Sequence, residues 1–223
     1  MEEKWEEVDD FLTAQLITEP ESCIWVRKVS EEADMPPIEV TSLQGKFLAM
    51  QCQLIGAKRV LELGTLAGYS TSWFATAVPD DGVVHTIESR ESHIEVAQKS
   101  FTHPDLKNKV ILHHGQAAVV MKHLLEKSEP AFDFIFVDAD KQSYPEYLEL
   151  ALKLSHENST IIIDNTIRQG AILADVPERK VSIHGLKNLY KQIKSHPELD
   201  ATVLQTVGAK GWDGFMMIRR KPY

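Results

Sequence analysis

The residues best suited to chemistry in this chain sit where apolar runs end. Phe134-Ile135-Phe136-Val137 runs into Asp138-Ala139-Asp140-Lys141, and Ile161-Ile162-Ile163 runs into Asp164-Asn165. Asp138, Asp164 and Asn165 would offer three oxygen ligands carrying two negative charges. That set suits Mg²⁺, which keeps the rest of its octahedron for water and substrate; Mn²⁺ and Ca²⁺ take oxygen ligands too. No Cys/His cluster competes for a softer metal. Asp and Asn at strand ends also serve as turn residues and caps, which is the plain alternative for either site alone. Lys141 lies one helical turn from Asp138. A cation beside a lysine eases loss of its proton, so an amine base becomes accessible there; the alternative is a solvated lysine opening a helix.

A second constellation lies upstream. Arg59-Val60-Leu61-Glu62-Leu63 reads as a buried strand, followed by Gly64, Gly68 and Ser70-Thr71. A strand, a glycine turn and a helix let a ligand lie against bare backbone at the carboxyl end of a parallel strand. Glu62 puts a carboxylate near that ligand. The spacing is neither the dinucleotide fingerprint nor a phosphate-binding P-loop. Glu88 ends the next apolar run, Val83 to Ile87, where an acidic residue can hold both ribose hydroxyls. With no basic residue in the loop, the pair favours a nucleoside lacking a pyrophosphate. Gly115-Gln116-Ala117 ends a third run and could line an adenine pocket. His113 and His114 are adjacent on a strand, so they face opposite ways and read as non-ligands.

The elements that must position these groups follow from periodicity. Strands are expected near 59–63, 83–88, 109–114, 132–137 and 159–163, alternating with helices near 70–77, 91–101, 116–127, 144–154 and 183–195. That order predicts a doubly wound, Rossmann-like parallel sheet with helices on both faces. The strands ending in Asp138 and Asp164 should be neighbours, with both ends at the edge that holds the glycine turn. Ala201–Val207 and Phe215–Arg219 form a hairpin that closes the sheet. Ahead of the sheet, three helices are expected over 3–18, 21–33 and 42–55. The first carries Trp5, Val8, Phe11, Leu12, Leu16 and Ile17 on one side, a face expected to be covered mostly within the chain and otherwise by another subunit. The expected organisation is one domain over 1–223, with a helical addition over 1–56 and an α/β core over 57–223.

Composition narrows the partners. The chain has 223 residues, enough for one sizeable core. A formal charge of −9 disfavours nucleic acid and anionic membranes as partners. Two cysteines and no disulfide scaffold fit a reducing cytoplasm. The acidic N-terminus has no apolar core of a signal peptide, and no apolar run approaches the roughly 20 residues that span a bilayer.

Together these features resemble the metal-dependent class I O-methyltransferases that use S-adenosylmethionine, the caffeoyl-CoA and catechol O-methyltransferases and their bacterial relatives. The resemblance runs from about Thr41 to the C-terminus. It rests on Gln44-Gly45-Lys46-Phe47-Leu48, Leu61-Glu62-Leu63-Gly64 with Gly68-Tyr69-Ser70, Glu88, Gly115-Gln116-Ala117, Phe134 to Lys141, Asp164-Asn165 with Gly170, and Asp213-Gly214. It implies a seven-stranded, mostly parallel sheet whose last strand is antiparallel. It implies that Glu62, Gly64 and Ser70 hold the methionine portion, Glu88 the ribose, and Ala117 with Gln116 the adenine. Val40 and Thr41 would close over the cofactor, which Asp138 also borders. Asp138, Asp164 and Asn165 would bind the metal, Lys141 would be the base, and the N-terminal helices would form a homodimer.

The expected reaction is methyl transfer to a hydroxyl of a small catechol-type, phenylpropanoid or flavonoid aromatic, leaving S-adenosylhomocysteine. The stretch after Asp164-Asn165 departs from the apolar or aromatic run of many relatives: it reads Thr166-Ile167-Arg168-Gln169-Gly170. Arg168 there would face an acidic acceptor or solvent, and Ala171–Ile183 is expected to shape the acceptor pocket. Two other readings compete: a hydroxylated uridine of tRNA as acceptor, which the −9 charge disfavours, and a nucleoside-binding module without turnover, which leaves the two acidic strand ends unexplained.

Overall fold

The computed structural model describes residues 2–175, 177 and 180–221. Its centre is a seven-stranded sheet in the order β3-β2-β1-β4-β5-β7-β6. The strands are β1 (Arg59–Leu63), β2 (Val83–Glu88), β3 (Val110–His114), β4 (Phe132–Val137), β5 (Ser155–Ile163), β6 (Leu199–Gly208) and β7 (Gly211–Arg220). The first five are parallel, whereas β7 runs antiparallel to both β5 and β6. The expected fold class is therefore the observed one. Strand order reverses between β1 and β4, and ligand clefts in open α/β sheets form at such a switch, beyond the carboxyl ends of the strands.

Alternation along the strands builds two cores. Leu61, Leu63, Ile87, Ile135 and Val137 face one side, under α6 (Ala117–Glu126), α7 (Tyr144–Leu154) and α8 (Val181–Ser195). Val60, Val84, Phe134, Phe136 and Ile162 face the other. That side is covered by α2 (Glu21–Glu32), α3 (Ser42–Leu54), α4 (Tyr69–Ala77) and α5 (Glu91–Ser100). Both faces are covered, so the central strands read as near-continuous apolar runs. Glu62, a carboxylate inside β1, is fully buried.

Three differences from the sequence expectation have physical causes. Helix α1 (Glu2–Leu16) leaves Val8, Phe11 and Leu16 between 52% and 68% exposed while Trp5, Leu12 and Ile17 are half-buried, so packing within the chain covers only part of that face. Amphipathic spacing identifies an apolar stripe, not what covers it. Strand β5 begins at Ser155 rather than 159, because its polar start pairs through a register shift opposite Phe132 and Phe134. There His156 Nε2 meets Asp133 Oδ1 at 2.9 Å. The hairpin is also longer than expected, since β6 keeps its ladder through exposed polar residues such as Asp200 and Gln205. His113 and His114 do diverge: His113 Nε2 lies 3.1 Å from His85 Nδ1, and His114 Nδ1 lies 3.3 Å from Glu91 Oε2.

Candidate active site

The carboxyl ends of the parallel strands are stapled to one another by backbone hydrogen bonds. Gly64 N donates to Ile87 O at 2.9 Å, Asp138 N to Leu63 O at 2.9 Å, and Asp164 N to Val137 O at 3.0 Å. Gly115 N donates to Glu88 O at 2.9 Å. These bonds set Gly64, Glu88, Gly115, Asp138 and Asp164 along one edge. Gly64 crosses under the next strand so closely that a Cβ would lie 2.1 Å from Asp138 O, and its φ is +98°. Gly68 then enters α4 at φ +96°.

Two cavities open above that edge. The smaller, about 470 Å³, is lined by Gly64, Ser70, Glu88, Gln116, Ala117, Val40, Asp138 and Lys141. The larger, about 730 Å³, lies toward the hairpin and is walled by Phe47, Trp212 and Phe215, with Thr41, Asp164 and Lys210. Both sizes fall within the range of small-molecule sites. Val40, Asp138, Asn165 and Arg168 line both, so the two cavities meet at those side chains.

The structure gives the sequence-singled residues distinct places. Glu88 holds the smaller cavity's rim: Oε1 accepts from the backbone N–H of Ser89 (2.8 Å) and Arg90 (2.9 Å), and Oε2 from Leu66 (3.0 Å). Glu62 lies behind the wall rather than in it. Its carboxylate accepts from Ser70 Oγ (2.5 Å), Thr86 Oγ1 (2.6 Å) and Thr71 Oγ1. Complete burial pushes its pKa up to about 7 against the pull of those three hydroxyls. The hydrogen bond to Glu62 fixes Ser70, which lines the cavity. Thr41 is spent on a capping box with Gln44 at the start of α3 and faces the larger cavity.

Asp138 and Asp164 come together as the two runs suggested. Lys141 Nζ donates to Asp138 Oδ1 at 2.9 Å. Asp164 is 8% exposed, and burial followed by the charge of Asp138 raises its pKa well above the carboxylate range. Asn165, at φ +54°, follows directly. Two carboxyls that repel each other are the electrostatic setting a divalent cation relieves, and Asn165 lines both cavities next to them. Among the described residues, no group of three or more His, Cys, Asp or Glu could hold a metal ion.

Sequence reasoning missed several lining residues. Asp140 faces the smaller cavity, its carboxylate taken by Tyr147 and by Ser143 Oγ at 2.5 Å. Glu39 lines both cavities, and its buried Oε2 has no hydrogen-bond partner. The larger cavity's far wall comes from Thr206 to Asp213 of the hairpin. The expected wall, Ala171–Ile183, contributes none of its described residues; 176, 178 and 179 lie outside the described residues. A hairpin tip carries no motif, and only Asp213-Gly214 marked it.

A reversed parallel sheet with an antiparallel last pair, a glycine turn beneath an acidic rim, and a second aromatic cavity meeting the first define a seven-stranded α/β methyltransferase. The O-methyltransferase family profile matches residues 16–221, and the chain belongs to that family. It is 39% identical to a catechol O-methyltransferase of Niastella koreensis over 213 residues, 96% of each chain. It is 36% identical to one of Mycobacterium tuberculosis over 95% of this chain and 94% of that one. An O-methyltransferase from Bacillus cereus, solved in complex with SAH, superposes with a TM-score of 0.95 at 38% identity, covering 99% and 100% of the two chains.

Proposed function

We propose that the protein transfers the methyl group of S-adenosylmethionine to a hydroxyl of a catechol-type aromatic, with a divalent cation, Mg²⁺ or failing that Mn²⁺ or Ca²⁺, held by Asp138, Asp164 and Asn165. The observation that carries this reading is the meeting of the two cavities at Asp138 and Asn165, beside Lys141. The catechol O-methyltransferase relatives and the SAH-bound neighbour support the donor and the acceptor class.

In this reading the smaller cavity takes the donor. Glu88 receives the ribose hydroxyls, Gln116 and Ala117 border the adenine, and Ser70, fixed by Glu62, meets the methionyl end beside Gly64. Val40 closes over the donor, and Thr41 borders the acceptor side. Glu39 offers its unpartnered oxygen to an ammonium at the junction. The larger cavity takes the acceptor between Phe47, Trp212 and Phe215, with room for a phenylpropanoid or flavonoid frame. The cation, when bound, supplies Lewis acidity that lowers the pKa of the acceptor hydroxyl. Lys141 Nζ takes the hydroxyl proton, and the shared wall holds acceptor oxygen and methyl group at attack distance, which contributes much of the acceleration.

The chain works as one methyltransferase domain. The exposed Val8, Phe11 and Leu16 of α1 support a homodimer through the N-terminal helices; sedimentation as a monomer would remove that part. Free, buried Cys23 and Cys52 fit a reducing cytoplasm, and among the described residues no helix is long and apolar enough to cross a membrane. The deciding experiment is transfer from labelled S-adenosylmethionine to caffeate and a catechol flavonoid, with Mg²⁺ and with EDTA. Transfer abolished by EDTA and restored by Mg²⁺ is expected. Transfer indifferent to EDTA would sink the cation's role, and no transfer despite donor binding would sink the acceptor class.

A further inference from the structure

We infer that Asp213 and Gly214 of β7 form a clamp that positions Asn165 and Arg168, and so sets the affinity of the cation site. The inference rests on the reading that Asn165 is a cation ligand. The loop after β5 is in an unusual conformation: Asn165, Arg168 and Gln169 have φ of +54°, +54° and +52°, and Gly170 follows at +77°. Left-handed backbone at three non-glycine residues within five persists only where the surroundings over-determine it.

The hairpin supplies that determination. Asp213 Oδ1 accepts from the N–H of Ile167 at 3.0 Å and of Arg168 at 2.9 Å, and from the adjacent Gly214 at 3.0 Å. Gly214 O accepts from Thr166 N at 2.9 Å and Thr166 Oγ1 at 3.1 Å. Gln169 N donates to Trp212 O at 3.2 Å. The approach demands glycine: a Cβ on Gly214 would lie 2.5 Å from Leu204 O and 2.7 Å from Ile167 Cγ1. Asp213, which lines the larger cavity, and the buried Gly214 thus direct their hydrogen bonds to the loop after β5. Asn165, one residue before the first clamped position, has its backbone direction set by them. Partners that orient a metal ligand typically matter 10–100-fold in metal affinity.

The test is binding of Mn²⁺ to the full chain, read by electron paramagnetic resonance of the free ion without donor or acceptor, alongside calorimetry of S-adenosylhomocysteine. Asp213→Ala is expected to weaken Mn²⁺ about 10–100-fold. S-adenosylhomocysteine affinity should fall less than Mn²⁺ affinity, because Asp213 itself is outside that cavity and reaches it only through Asn165 and Arg168 on its border. Asp213→Asn keeps an oxygen acceptor for the same amides and should restore binding to within about threefold of wild type. Thr166→Val, which removes only the side-chain bond of a fully buried residue, should cost a smaller, severalfold loss and serves if Asp213→Ala does not fold. Wild-type Mn²⁺ affinity in the variants that fold, or an Asp213→Asn protein as weak as Asp213→Ala, would overturn the clamp. A wild type that binds no Mn²⁺ would overturn the cation reading and the clamp with it.

Discussion

Replacing Gly64 by alanine tests whether the crossing of β1 and β4 sets the active site. The added Cβ would start 2.1 Å from Asp138 O, a backbone atom, so the two strand ends must part by about 1 Å to restore van der Waals contact. Backbone at φ +98° costs a non-glycine residue about 1–3 kcal/mol. Loosening the 2.9 Å bond from Asp138 N to Leu63 O costs about 1 kcal/mol more. A total near 3 kcal/mol lowers Tm by about 6–12 °C in a chain of this size. The same shift of about 1 Å at Asp138 should cut turnover about 100-fold. Gly56→Ala is the control: Gly56 also has positive φ, +64°, but nothing lies within 4 Å of its Cβ, so only the conformational cost of about 1 kcal/mol remains. Differential scanning calorimetry of both variants, with turnover measured beside it, separates strain from contact. If Gly64→Ala melts within about 2 °C of Gly56→Ala, the close crossing does not constrain the site.

Two further perturbations reach other parts of the site. Glu62, at about 7 in the folded chain against 4.5 for the ordinary group, keeps its proton in the folded state where the unfolded chain has lost it. It therefore withdraws about 3 kcal/mol of stability as pH rises from 4.5 to 7; Glu62→Gln removes that slope, so denaturant midpoints of variant and wild type should diverge in the variant's favour across that window. Parallel curves would show that Glu62 does not titrate there. Lys141→Ala should lower turnover about 10²–10⁴-fold while S-adenosylhomocysteine binding changes no more than about threefold; unchanged turnover would remove Lys141 as the base.

What the sequence made legible follows from how directly each element is encoded. The central strands announce themselves because both faces are buried, and Val60 to Leu63 or Phe134 to Val137 cannot be much else. The acidic strand ends were readable because adjacency in a parallel sheet brings Asp138 and Asp164 together once the order is known. The strand of Glu62 was legible; its burial behind the cavity wall was not. Alternation puts it on the α4 face with Val60, where Ser70, Thr71 and Thr86 absorb its carboxylate. Proximity in sequence pointed to Ala171–Ile183 for the acceptor pocket, whereas the wall of the larger cavity comes from Thr206 to Asp213 at the β6–β7 tip. Long-range return of a polar hairpin leaves no local pattern. The clamp was equally hidden: Asp213-Gly214 is an ordinary turn-like dipeptide until its hydrogen bonds are seen.

Because Asp138, Asn165 and Arg168 belong to both cavities, the donor and acceptor proposed for them would not be independent tenants of the fold. Any adjustment that one ligand imposes on those side chains alters the free energy of seating the other. Linkage makes that influence mutual: the factor by which bound donor changes acceptor affinity equals the factor by which bound acceptor changes donor affinity. On the proposed assignment, a substitution on the shared wall shifts both dissociation constants together, whereas one at Glu88 or at Trp212 perturbs its own ligand first.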